Sequence, residues 1–115
     1  MISVVDDDES VRAATRTLLM SAGYDVATFP SAGMFMESGA LGATACLVLD
    51  LRMPEIDGLE LQKRLNAAAY TVPIIFISAH ADPRSRRSAM EAGAVDFFCK
   101  PFEANAFLSA IRTAL

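Results

Sequence analysis

Five apolar runs of strand length recur along the chain, at Ile2 to Val5, Asp25 to Phe29, Ala45 to Leu49, Ile74 to Ser78 and Asp96 to Cys99. Three of them, "ISVV", "CLVL" and "IIFIS", read as apolar throughout, as central parallel strands do when helices cover both faces. Between the runs the spacing turns helical. Val11, Ala14, Leu18, Leu19 and Ala22 share one face, and Gly23 follows as a C-terminal cap. Leu61, Leu65 and Ala68 mark a second helix after Gly58, and Phe107, Ala110, Ile111 and Ala114 mark the last. Ser31 suits the cap of a short helix ending near Gly39, and Pro83 opens one that stops at Gly93.

Strand followed by helix, five times over, predicts an α/β domain with a parallel sheet and right-handed crossovers. In such sheets ligands bind beyond the carboxyl ends of the strands, so the residues after each run carry the functional information. At 115 residues and 53% hydrophobic content the chain suits one domain, residues 1–115, around one core. A net charge of −4 argues against nucleic-acid binding by this segment, because phosphate contacts need a concentrated excess of Lys and Arg. No apolar stretch approaches the roughly 20 residues of a membrane helix. Cys46 and Cys99 both lie in apolar runs and read as buried free thiols, which suits a cytoplasmic location.

The strand ends hold Asp6, Asp7 and Asp8 after the first run, Asp50 after the third, Ser78 at the fourth, and Lys100 before Pro101 after the fifth. Taken singly, each has a plain explanation. The Asp run could cap a helix, Asp50 could serve a turn, and Lys100 could be a solvated loop lysine. Folding alone does not ask for acids at two strand ends, a hydroxyl at a third and a lysine at a fourth. Carboxylates about 5 Å apart repel by roughly 3 kcal/mol per pair at an effective dielectric near 20, so such a cluster calls for a cation. All-oxygen ligands without His or Cys select a hard ion, and open positions for water and phosphate suit Mg²⁺. A divalent ion beside a carboxylate, with a lysine and a hydroxyl aimed at the same point, is equipment for phosphoryl transfer. Asp50 stands apart from the acid run and is the natural acceptor.

The stretches "VVDDDE", "LVLDLRMPEIDG", "IIFISAH", "GAVDFF" and "KPF" resemble the receiver domains of two-component response regulators over essentially the whole chain. "DLRMP" and "CKPFE" are most similar to the FixJ-type receivers that precede a helix-turn-helix output. The resemblance implies a flavodoxin-like (βα)5 fold with strand order 2-1-3-4-5. It implies that Asp50 accepts phosphate from a histidine kinase and ligates Mg²⁺ with Asp7, while Asp6 acts through a metal-bound water and Arg52 lends its backbone carbonyl. Ser78 would hydrogen-bond the phosphoryl group, Lys100 would pair with it, and the bond to Pro101 is expected to be cis. Phe97 falls at the aromatic switch position, where it would turn from solvent toward the core as Ser78 moves inward. Asp8 and Glu9 read as first-turn helix residues.

The fourth helix offers its buried face mostly Ala89, Met90 and Ala92, a light anchorage for an element expected to shift. Arg84, Arg86 and Arg87 beside it are either a solvated basic face or part of a partner surface. The resemblance implies phosphorylation-dependent dimerisation through the fourth helix, fifth strand and fifth helix, and an output domain outside the segment. His80 and Arg52, each two places beyond a site residue, either stand solvated or flank the phosphate and tune its lifetime. A haloacid-dehalogenase-type phosphatase shares the Asp, Ser, Lys and Mg²⁺ set. It would need a proton donor two residues after the nucleophile, where this chain has Arg52. A receiver-like module that binds a partner unphosphorylated would not need the intact acid, hydroxyl and lysine set.

Overall fold

The computed structural model describes residues 1–79 and 82–115. Its elements in chain order are β1 (Ile2–Val5), α1 (Glu9–Ser21), β2 (Val26–Phe29), α2 (Ala32–Glu37), a 3-10 turn (Ala40–Ala43), β3 (Cys46–Asp50), α3 (Gly58–Ala67), β4 (Ile74–Ser78), α4 (Pro83–Glu91), β5 (Asp96–Cys99) and α5 (Ala104–Ala114). All strand pairs are parallel, in the order β2-β1-β3-β4-β5. The expected fold and strand order are present, and the strand order reverses beside β1, where β1 and β3 run side by side.

Alternation along the buried strands divides the core into two layers. Ile2, Val4, Cys46, Val48, Ile75 and Ile77 meet Leu19 of α1 and Phe107 and Ile111 of α5 on one face. Val5, Leu47, Leu49, Phe76 and Phe97 meet Phe35 of α2, Leu61 and Leu65 of α3 and Ala89 of α4 on the other. Because β1, β3 and β4 are buried on both sides, their ends are fixed to within a side chain's freedom, and whatever stands there is rigidly placed.

The helix starts follow cap chemistry. Asp8 caps α1, its carboxylate accepting from the Ser10 and Val11 amides, and Glu9 is the first helical residue. Ser31 caps α2, Asp57 caps α3 and Asp82 caps α4, with Pro83 in its first turn. Gly23, Gly39 and Gly93 each take a positive φ just past a helix.

Several expectations shift. Asp25 and Ala45 lie outside the ladder, although the Asp25 carbonyl and the Ala45 amide bond to residues 2 and 1 at its edge, and Asp50 is the last residue of β3. Cys46 is buried, which pushes its thiol up to about 11, but Cys99 is exposed because it ends the edge strand β5. Ala14 and Ala22 of the first helix face out while Thr15 faces in, its hydroxyl satisfied by the Val11 carbonyl. Ala68 is exposed as well, since α3 ends before it. On α4 only Ala89 is buried, and Met90 and Ala92 are exposed.

Candidate functional site

The site lies at the carboxyl edge of the sheet, where β1, β3, β4 and β5 end together. β1 and β3 pair Val5 with Leu49, so the next residues, Asp6 and Asp50, stand as neighbours where the β1–β3 pairing ends. β3 and β4 pair Asp50 with Ile77, and β4 and β5 pair Ser78 with Cys99, which puts Ser78 and Lys100 at the same rim. Parallel register thus gathers residues up to 94 positions apart in the chain.

Asp6 is fully buried and Asp50 is 4% exposed, while Asp7 is exposed at the mouth. One carboxylate oxygen from each of the three lies within 4.8 Å of the others. Lys100 reaches into this cluster, its Nζ 2.9 Å from Asp6 Oδ2 and 3.3 Å from Asp50 Oδ1. Burial, then the charge of Asp6, push the Asp50 carboxyl up to about 7 against the opposing pull of Lys100. For Lys100, burial alone would lower the pKa, but the contacts with Asp6 and Asp50 outweigh it and raise the value above its ordinary level. The lysine therefore stays charged and the acids share a partly neutralised pocket.

The donor set fits a hard divalent ion. Three carboxylates converge, and Asp6 Oδ2 is fully buried with the Lys100 ammonium 2.9 Å away. Asp6 Oδ1 is held differently, accepting from the Asp8 amide at 2.9 Å. Arg52, whose carbonyl was expected at the metal, sits exposed on the loop after β3, and its guanidinium reaches across to Asp82 at 3.6 Å. The Ser85 hydroxyl and Arg84 amide hold the Asp82 carboxyl below the usual range.

Ser78 is fully buried at the end of β4, and its carbonyl accepts from the Lys100 amide at 2.6 Å. The Lys100–Pro101 bond is cis. Phe97 is 4% exposed and stacks on Phe76 with ring centroids 6.1 Å apart, so it already packs inward where a solvent-facing ring was expected. His80 lies outside the described residues.

Other residues of the site escaped the sequence reading. Gly58, taken only as a helix boundary, presses so closely on the strand end that a Cβ there would run into the Asp50 carbonyl and crowd the Phe76 ring. Glycine at this point lets α3 approach the phosphoacceptor candidate, and the Gly58 amide donates to the Leu51 carbonyl at 2.9 Å. Arg12 of α1 donates through Nη1 to the Asp6 carbonyl at 2.8 Å. An apolar groove of about 490 Å³, lined by Val11, Leu18, Lys100, Pro101 and Phe102 among others, opens beside the acids.

The family model described as the response regulator receiver domain matches residues 2–112. The chain belongs to that family. This receiver domain is 45% identical over 115 residues to response regulator protein TodT of Pseudomonas putida, across 100% of its own length and 51% of TodT. It is 40% identical over 114 residues to the transcriptional regulatory protein FixJ of Azorhizobium caulinodans, across 99% of its length and 54% of FixJ. Among solved structures, it superposes on the response regulator StyR with a TM-score of 0.91 at 49% identity, covering 99% of this chain and 58% of that one. The corresponding values for FixJ-N are 0.88 and 37%, covering 98% and 90%. The chain spans about half the length of the curated relatives it matches. Among its described residues no helix is long and apolar enough to cross a membrane.

Proposed function

We propose that this receiver accepts a phosphoryl group on Asp50 from a phosphohistidine of a sensor kinase, in a Mg²⁺-dependent reaction, and thereby controls an output domain. The observation that carries this reading is the convergence of Asp6, Asp7, Asp50 and Lys100 at one sheet edge. An Asp50 oxygen attacks phosphorus in line, the bond from phosphorus to the donor imidazole breaks, and the electron pair leaves with that nitrogen. Lys100, already within reach of the Asp50 oxygen, follows the charge onto the transferred group, and Ser78 donates its hydroxyl to it. Asp7 and Asp50 would hold Mg²⁺ directly, Asp6 through water, and Arg52 through its carbonyl. When bound, the ion neutralises the phosphoryl oxygens and lets Asp50 react as a carboxylate in spite of its raised pKa.

The protein is then no turnover enzyme. It catalyses only the gain and hydrolysis of its own phosphoryl group, and Arg52 and His80 would set the lifetime by positioning or excluding the attacking water. Ser78 and Phe97 form the switch, phosphorylation favouring the inward packing of Phe97 that this structure already holds, and the phosphorylated form dimerises through α4, β5 and α5. Relatives of about twice the length are named transcriptional regulatory proteins, which favours a DNA-binding output.

The test weighs intact protein after incubation with acetyl phosphate, with and without Mg²⁺. One added phosphoryl group that requires the metal and is absent from Asp50→Asn is the expected outcome. Equal addition to the mutant would move the acceptor elsewhere, and steady release of phosphate from phosphomonoesters would favour a phosphatase.

A further inference from the structure

We propose that Arg12 is a positioning residue for the acid cluster, holding the peptide on which Asp6 and Asp7 stand and thereby setting the affinity for the divalent cation. The inference rests on the metal site proposed above. The Asp6 carbonyl is the first beyond the end of β1, so the sheet ladder does not claim it, and Arg12 Nη1 meets it at 2.8 Å. That carbonyl and the Asp7 amide belong to one planar peptide unit. A donor that fixes the oxygen fixes the plane, and the plane aims the Cα from which the exposed Asp7 carboxylate projects.

The rest of Asp6 is already tied down. Its amide donates to the Phe29 carbonyl at 3.1 Å, its Oδ1 accepts from the Asp8 amide at 2.9 Å, and its Oδ2 lies 2.9 Å from Lys100 Nζ. Without Arg12, the peptide plane between Asp6 and Asp7 could swing through ψ of Asp6 and φ of Asp7, and that motion would loosen the cluster. The placement of Arg12 is otherwise unfavourable. It stands four residues after the Asp8 cap, near the positive end of the α1 dipole, where a cation gains nothing from the helix. It is half-buried, and the carbonyl rewards the guanidinium for being there.

Charge and positioning make opposite predictions. Removing the cation that sits on the Asp6 carbonyl should by itself tighten Mg²⁺ binding. Loss of a group that orients a ligand weakens metal affinity, typically by about tenfold or more. Arg12→Met keeps the helix propensity and the apolar stem but has no donor. MgCl₂ titrated calorimetrically into wild type, Arg12→Met, Arg12→Lys and the exposed control Arg16→Met reads the sign directly. The expected result is Mg²⁺ binding about tenfold weaker in Arg12→Met, recovered to within about threefold by Arg12→Lys and unchanged or slightly tighter in Arg16→Met. With acetyl phosphate, the Mg²⁺ concentration for half-maximal phosphorylation should rise in Arg12→Met while the rate at saturating Mg²⁺ stays near wild type. Equal or tighter binding by Arg12→Met would overturn the inference, as would weaker binding that Arg12→Lys does not recover. Should Arg12→Met fail to fold, Arg12→Leu, which also lacks a donor, takes its place with the same expectation and the same reversal. Wild type that does not bind Mg²⁺ at all would overturn the metal reading itself, a result distinct from any difference among variants.

Discussion

Helices α3 and α4 cover the same face of the sheet but are rooted in it differently. α3 buries Gly58, Leu61, Gln62 and Leu65, whereas α4 buries Ala89 alone. A buried leucine is worth about 2 kcal/mol of transfer free energy and an alanine methyl well under half of that. α4 is held instead by polar tethers from its neighbour. Gln62 Nε2 donates to the Ala89 carbonyl and Asn66 Nδ2 to the Ala92 carbonyl, each at 2.9 Å. Apolar packing resists displacement in every direction, whereas two hydrogen bonds can be exchanged for others at small net cost. The difference maps onto the site. Asp50 ends the strand that leads to the well-rooted helix, and Ser78 ends the strand that leads to the tethered one. On the proposed function, a phosphoryl group on Asp50 that draws Ser78 toward it would therefore pull on the half of the face that can move.

The largest expected effect tests the rooting. Leu65→Ala should lower the unfolding free energy by about 2–5 kcal/mol, and Ala89→Gly by only about 1 kcal/mol, mostly helix propensity. Urea denaturation of both variants provides the comparison. Equal losses would mean that α4 is packed as firmly as α3.

The second effect sharpens the electrostatic side of the rigid half. The Asp50 carboxyl rises from 3.8 to about 7 on folding, so the native state binds more protons than the unfolded chain across that window. Metal-free stability then falls as pH rises from about 4 to 7 and stays low above it. The whole shift corresponds to at most roughly 4 kcal/mol. Asp50→Asn removes the charge, and at pH 8 without metal it should stabilise the protein by about half of that, with little gain at pH 4. Mg²⁺ bound as proposed should act on wild type in the same sense, since it would replace the missing proton. Its stabilisation should grow from pH 5.5 to pH 8 and vanish in the mutant. Thermal melts at the two pH values decide the matter, and a mutant less stable than wild type at pH 8 would contradict the assigned cost.

The two helices also mark where the sequence was readable and where it was not. β1, β4 and β5 fall on the runs that predict them, because an apolar stretch bounded by charge needs only local reading. Asp6, Asp7, Asp50, Ser78 and Lys100 were legible as chemistry because one rule, that parallel strands end together, places them at one rim. The contacts that distinguish α3 from α4 are long-range. Gln62 and Asn66 look like ordinary solvent-facing amides until α4 lies beside them, and Met90 looks like core until Ala89 is seen to be the one residue that the helix buries. Gly58 gives no local sign that the Asp50 carbonyl occupies the space of its absent side chain. Cys99 reads as buried by its apolar neighbours, but edge position decided otherwise.

The smallest effect is the most direct test of how α4 is held. Gln62→Ala removes one donor from a buried carbonyl that keeps a second, the Ala94 amide at 3.0 Å. The global loss should be near 1 kcal/mol. The local effect should be larger in proportion, because a helix with one buried methyl has little else to hold it. Amide hydrogen exchange in Pro83–Glu91 should speed up by about tenfold while Gly58–Ala67 changes only with global stability. Adding Asn66→Ala should accelerate α4 again and leave α3 where it was, since the two amides act on carbonyls three residues apart at the same helix end. The same double variant should bias the receiver toward its phosphorylated conformation by lowering the cost of moving α4, so phosphorylation should produce a smaller further change in α4 exchange than in wild type. If exchange in α3 and α4 rose together, the tethers would belong to one cooperative unit, and the division of this face into a rooted half and a movable half would fail.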